Sequence, residues 1–327
     1  MRFLLRRLLI LLLTGWAALT ANFILPRLMP GNPIEAMLAR YQGRLDPRAV
    51  NALKIAFGLS THQSALGQYF TYLGHTLTGH LGTSIEYFPT SVSSIIRTAL
   101  PWTLGLVGCA IIISFLIGTT VGAVAGWRRG SRFDSVAVPL GVMLSATPVF
   151  WISLLALYFL AFRLGWFPIE GGIGSNQSVS VSGIGSILSH AALPGLTLTL
   201  VSVGTWVLLM RNSTVSVLGE DFIKFGRAKG LPERIVASRY AARNAILPSF
   251  TSFALALGFV VAGAIFTEYV FSYPGIAYYL LQGVLSLDYP LIQGIFLVIV
   301  TAVLLANFLA DVFYVFLDPR IRIGGRP

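Results

Sequence analysis

Between Lys224 and Pro248 the sequence reads KFGRAKGLPERIVASRYAARNAILP, which sets six basic side chains (Lys224, Arg227, Lys229, Arg234, Arg239, Arg243) against one acid, Glu233. The chain as a whole is 55% hydrophobic and only 11% charged, so this concentration needs a cause. The charges come with punctuation. Glu220 and Asp221 stand where a short helix would begin, and acids suit the positive end of its dipole. Lys229 stands at its end, followed by Gly230 as a stop. Pro232 then suits the first turn of a second helix, with Glu233 beside it, and that helix runs to Pro248. Two uses fit such a rigid surface element. Phe222, Ile223 and Phe225 can enter a partner's groove, or the helix can lie on anionic lipid as an amphipathic segment.

Other chemistry-bearing residues are scattered. The lysines are preceded by Leu53, Ile223 and Ala228, so the Gly-Lys pair of a phosphate-cradling loop is missing, and if the system is ATP-driven the hydrolysis is expected from another chain. His62, His75 and His80 lack the four-residue step that puts two metal ligands on one helix face, and solvated histidines are the expectation. Cys109 falls within an apolar run as a small packing residue. Glu268 can meet a solute or pair locally. Asp311, four residues after Asn307, is an ionisable group at membrane depth, where a packed, hydrogen-bonded position is expected over a transport role. Tyr269, Phe271, Tyr273, Tyr278 and Tyr279 form an aromatic cluster of the kind found at membrane interfaces. No pair of catalytic groups stands at usable spacing, which argues against an intramembrane enzyme.

The elements that must position these residues are membrane helices. A mean hydropathy of +0.78 with so few charges points to lipid as the solvent. Six apolar runs can each cross a bilayer: 8–25, 100–127, 136–162, 193–210, 250–267 and 291–310. Arg2, Arg6 and Arg7 before the first run resemble a secretory signal, but no small-x-small cleavage site follows and the run is read as a span. With a cytoplasmic N-terminus, 16 of the 23 basic residues fall in the cytoplasmic segments 1–7, 128–135, 211–249 and 318–327. The net charge of +11 is therefore a topology signal and not a nucleic-acid footprint. The expected fold is all-α and polytopic with six transmembrane helices. Residues 1–98 form the first helix and an external region, 99–317 a five-helix core containing the loop 211–249, and 318–327 a cytoplasmic tail. In the external region Asp46-Pro47 caps a helix through Val50, Leu53 and Phe57, and HLGTSIEYFPTSV is a turn leading into the second span. SNQSVSVSGIGS (175–186) reads as a flexible loop. Gly118, Gly122 and Gly126 place small residues on one helix face for close packing.

The basic stretch resembles the cytoplasmic loop of binding-protein-dependent ABC importer permeases. The closest likeness is to the branch carrying di- and oligopeptides, with nickel among its relatives. Arg227-Ala228-Lys229-Gly230-Leu231 and Arg243-Asn244-Ala245-Ile246-Leu247-Pro248 carry it. The family's Glu-Ala-Ala positions are here Lys224, Phe225 and Gly226, a departure. RRLLILLL with RLMPGNP (27–33), HLGTS (80–84), VFSYPGIAYYL (270–280), DYPLIQG (288–294) and LDPRIR (317–322) extend the likeness over nearly the whole chain. The resemblance implies a type I ABC importer permease fold in a prokaryotic cytoplasmic membrane, with both termini cytoplasmic. It also implies a second homologous permease subunit, two ATPase subunits that bind ATP and Mg, and an extracytoplasmic solute-binding protein. This chain would bind no cofactor. Coupling to the ATPase is expected at Glu220, Asp221, Phe222, Lys224, Phe225, Arg227, Ala228, Lys229, Gly230, Leu231 and Glu233. A translocation-pathway role is expected for Glu268, Tyr273 and Tyr278. Peptide is the expected solute, with nickel or an oligosaccharide as alternatives. The competing class, an autonomous secondary transporter or channel, usually shows internal repeats, broken helices or several buried charges.

Overall fold

The computed structural model describes residues 2–28, 64–170 and 181–317, and it is helical throughout, the one β-type pairing among them being an isolated bridge, Thr83 with Ser91. The helix expected around 46–57, His62 and the tail 318–327 lie outside the described residues, as does the side chain of Asp311. In chain order the helices are α1 (Arg2–Leu28), α2 (Ala65–Leu77), α3 (Val92–Trp127), α4 (Arg132–Ala146) and α5 (Val149–Ala156), which continues as a π-turn, Leu157–Arg163. There follow α6 (Val181–Leu218), α7 (Asp221–Ala228) and α8 (Glu233–Ile235), which passes through a second π-turn, Val236–Ala242, into α9 (Arg243–Gly258). The chain finishes with α10 (Ile265–Val270), α11 (Ile276–Leu285) and α12 (Tyr289–Leu317).

Among the described residues, three helical segments are long and apolar enough to cross a membrane unaided: Val92–Trp127, Ile184–Leu218 and Tyr289–Phe308. Two further candidates are bent pairs, Arg132–Ala146 with Val149–Arg163 at 93° and Glu233–Gly258 with Val260–Val270 at 43°. The apolar part of α1, Leu9–Leu25, is shorter. By length and composition the described residues thus hold three to five candidate spans, against six expected. The sharp bend has a local cause, because a residue preceding proline is pushed out of the α region. Thr147, just before Pro148, is extended at φ −80° and ψ 126°. A second difference concerns 181–186, expected as loop, which forms the first turns of α6. Pro248 does not interrupt the chain either. It lies inside α9, so the second helix of the basic stretch and the fifth apolar run are continuous.

The described residues divide into two compact units. One comprises the described parts of Met1–Thr103, Val261–Gly263 and Pro274–Pro327. Its core joins the start of α3 to α11 and α12 through Val92, Ile95, Ile96, Ile276, Leu280 and Leu291. Asn22 of α1 donates from Nδ2 to the Gln293 carbonyl oxygen of α12 at 2.9 Å. The other unit comprises Leu104–Val260 and Ala264–Tyr273. Its axis is α6, against which α3 packs through the expected glycine face. A Cβ at Gly118 would stand 2.4 Å from the Trp206 Cβ, one at Gly122 2.5 Å from the Val207 carbonyl oxygen, and one at Gly126 2.7 Å from the Thr214 Cβ. On another side of α6, a Cβ at Gly204 would stand 2.4 Å from the Gly141 carbonyl oxygen of α4. Small residues replace hydrophobic drive as the means of bringing backbones together in lipid.

Candidate functional site: the α7 loop and its supports

The helix expected from Glu220 to Lys229 is present as α7, with Glu220 at the N-cap and Lys229 at the C-cap. Gly230 follows at φ +74°, the left-handed conformation that ends helices and that glycine adopts without strain. Buried and exposed positions alternate with helical period. Ile223 and Gly226 face inward, while Phe222, Lys224, Phe225 and Arg227 face outward with Ala228. Leu231 is half-buried behind them.

Ile223 is fully buried in a cluster with Val236 and Ala241. Around that cluster pack Trp127 from the end of α3, Val217 and Leu218 from the end of α6, and Leu231 and Tyr240. Fully burying one such side chain contributes about 1.5–3 kcal/mol. The charged contacts of the loop are exposed: Lys224 Nζ lies 2.9 Å from Asp221 Oδ1, and Arg227 Nε 3.0 Å from Glu233 Oε1. Exposed pairs of that kind are screened by solvent and contribute little to stability. Packing through Ile223 therefore holds α7 in place, and its charges are not needed for that. Lys224 holds the Asp221 carboxyl below the usual carboxylate range, chiefly by hydrogen bonding, and Asp221 raises the Lys224 ammonium in return. The Arg227 guanidinium also stands 5.7 Å over the Trp127 ring, and the Lys229 ammonium 4.5 Å over that of Phe225. A cavity of about 280 Å³ lies beside the second π-turn, lined by Trp127, Arg128, Thr214 and Ala241 among others.

An ion pair with no sequence signature braces the same end of this unit. Arg211 near the end of α6 grips Asp134 at the start of α4 with two hydrogen bonds, Nε to Oδ1 at 3.1 Å and Nη2 to Oδ2 at 3.0 Å. The Gly130 N–H donates to the same Oδ2 at 3.0 Å. These residues are 77 positions apart, and nothing local couples them.

The expected pathway residues divide between the two units. Glu268 and Tyr273 belong together: both are buried, and the Tyr273 N–H donates to the Glu268 carbonyl oxygen at 2.7 Å. Burial, with the Glu268 charge adding to it, pushes the Tyr273 hydroxyl up to about 12. Tyr278 belongs to the other unit, half-buried, with its ring edge-to-face against Tyr279 at 5.5 Å. Tyr279 in turn meets Tyr87 at 5.4 Å. That unit also joins two of the family-like motifs. Asp288, which opens DYPLIQG, caps α12 by accepting from the Leu291 N–H at 3.1 Å. Its second oxygen accepts from the Ser84 hydroxyl of HLGTS and from the Glu86 N–H at 2.9 Å. The turn expected before the second span is present, closed by Val92 N–H to Gly82 O at 3.0 Å.

Comparison with known proteins identifies the family. The chain is 35% identical over 327 residues to a protein of Brucella suis named as a peptide permease, with 99% of both chains covered. It is 32% identical to the di/tripeptide transport system permease protein DppB of Pseudomonas aeruginosa, over 98% of both chains. It is 30% identical to the dipeptide transport system permease protein DppB of Escherichia coli, over 98% of this chain and 99% of that one. The family of binding-protein-dependent transport system inner membrane components matches residues 118–323, which takes in α7, both π-turns and the helices that brace them. With that match and relatives of this similarity along its length, the chain belongs to the binding-protein-dependent transport system inner membrane components, the multi-pass permease subunits of ABC importers.

Proposed function

We propose that this chain forms half of the translocation pathway of an ATP-driven peptide importer, and that α7 is the part on which an ATPase subunit sits. The observation that carries the solute class is end-to-end similarity to three permeases named for peptides, di/tripeptides and dipeptides. The coupling role rests on geometry. Phe222 and Phe225 project from α7, while Ile223 ties it to the ends of α3 and α6. A displacement of α7 by a partner is thereby passed to two long helices at once. ATP and Mg are held by the partner subunits, a second homologous permease completes the pathway, and a solute-binding protein delivers peptide from outside. Both termini lie in the cytoplasm, on the side where basic residues accumulate.

In the cycle that follows, closure of the ATPase pair on ATP moves α7, the helices open outward toward the loaded binding protein, and hydrolysis resets them. Reconstitution in liposomes tests this directly. The complete complex takes up a labelled dipeptide when ATP is enclosed with the ATPase subunits, and the same vesicles without those subunits take up none. Uptake by the permease alone would indicate a secondary transporter, and uptake of nickel or an oligosaccharide in place of dipeptide would reassign the solute.

A further inference from the structure

The helix α2 turns three large apolar side chains away from the protein. Its apolar stripe, Leu66, Phe70 and Leu77, recurs at helical spacing and points outward, with 70%, 67% and 81% of each residue exposed. Gln68, Tyr69 and Tyr72 are half-buried against α1, while Thr71 and His75 are exposed. Tyr69 and Tyr72 hydrogen-bond to α1 through Thr20 at 2.8 Å and Asn22 at 3.0 Å. Gln68 accepts from Arg27 at 3.3 Å. Thr71 and His75 line a cavity of about 250 Å³ together with Arg27 and Gln293. A surface helix in water ordinarily buries its large apolar side chains against the protein.

The level at which α2 sits is fixed by its partners. They are residues 20–27 of α1, the last two turns of that helix, and α1 itself exposes Ile24, Leu25 and Leu28 there. Exposed apolar side chains thus stand on α1 at the level where α2 packs against it. We infer that α2 is an interfacial helix whose Leu66, Phe70 and Leu77 face is embedded in the membrane leaflet at the C-terminal end of α1. Its length suits this role: 13 residues make about 20 Å of helix, too short to span and long enough to lie along a headgroup region. The occupant of this face is phospholipid acyl chain. The inference depends on membership of the membrane family and not on the solute being a peptide.

The test uses the full complex in lipid nanodiscs with Cys109→Ser as background. An environment-sensitive fluorophore is placed by Phe70→Cys, by Leu77→Cys, and by Thr90→Cys in the exposed turn as the aqueous reference. Lipids carrying a nitroxide near the glycerol should quench the probes at 70 and 77 about threefold more than the probe at 90, with iodide showing the reverse order. Probes at 70 and 77 that respond to iodide and not to nitroxide lipid would overturn the inference in favour of a water-facing stripe. Probes shielded from both would overturn it in favour of a covering protein segment.

Discussion

Two glycines four residues apart carry opposite consequences. Gly226 stands where the family's pattern has alanine, and a Cβ there would meet its nearest neighbour, Leu231 Cδ1, at an ordinary 3.8 Å. Gly226→Ala should therefore be tolerated, and by helix propensity it gains about 1 kcal/mol, readable as a higher melting temperature of the complex with uptake retained. Gly230 has open space around it but a left-handed backbone at φ +74°. A β-branched residue there costs about 1–2 kcal/mol and unseats the end of α7. Gly230→Val should insert normally yet lose peptide-stimulated ATPase activity, with Gly230→Asn milder because asparagine enters that region more readily. Unchanged stimulation in the valine variant would separate the helix stop from coupling. Asp288 is the third residue with a specific cost, since its carboxylate accepts from Ser84, Glu86 and Leu291 at once. Asp288→Asn puts a donor where only donors point. It should cost about 1–3 kcal/mol and increase proteolytic cutting between residues 80 and 90. Of these positions, the glycine stop at 230 was readable from sequence because caps are local. The Asp288 clip was not, because it joins residues 204 apart.

At the level of elements, local signals located the helices and misjudged their continuity. The apolar runs identify where helices lie, and the glycine spacing on α3 correctly marks a close-packed face. The bend after α4 was present in the sequence as Thr147-Pro148, hidden inside an unbroken apolar run that suggested one span. The opposite happened at Pro248, where a proline that reads as a boundary lies within α9. A π-turn at Val236–Ala242 lies upstream of it, and such turns recur at functional places in helices. The helix α2 lay in a region read as external, because 13 residues with an apolar stripe do not resemble a span. The brace between α4 and α6 is likewise a tertiary feature. Asp134→Asn should leave Arg211 short of a partner, destabilise the complex by about 1–3 kcal/mol, and reduce uptake without abolishing ATPase binding. Equal loss of binding and uptake would instead make the pair part of the docking surface.

For the whole molecule, composition and charge settle the class: a greasy chain whose basic residues gather in loops is a membrane protein, and its likeness to peptide permeases runs the full length. The proposed coupling needs a partner that grips α7, and burial of Ile223 with exposure of Phe225 is the geometry that suits it. The most direct measurement replaces Phe225 with a photo-crosslinking phenylalanine in the assembled importer and identifies what it captures. Capture of an ATPase subunit, changing in yield when ATP is bound, is the predicted result. Capture of lipid alone, or of no ATPase in any nucleotide state, would contradict α7 as the coupling element.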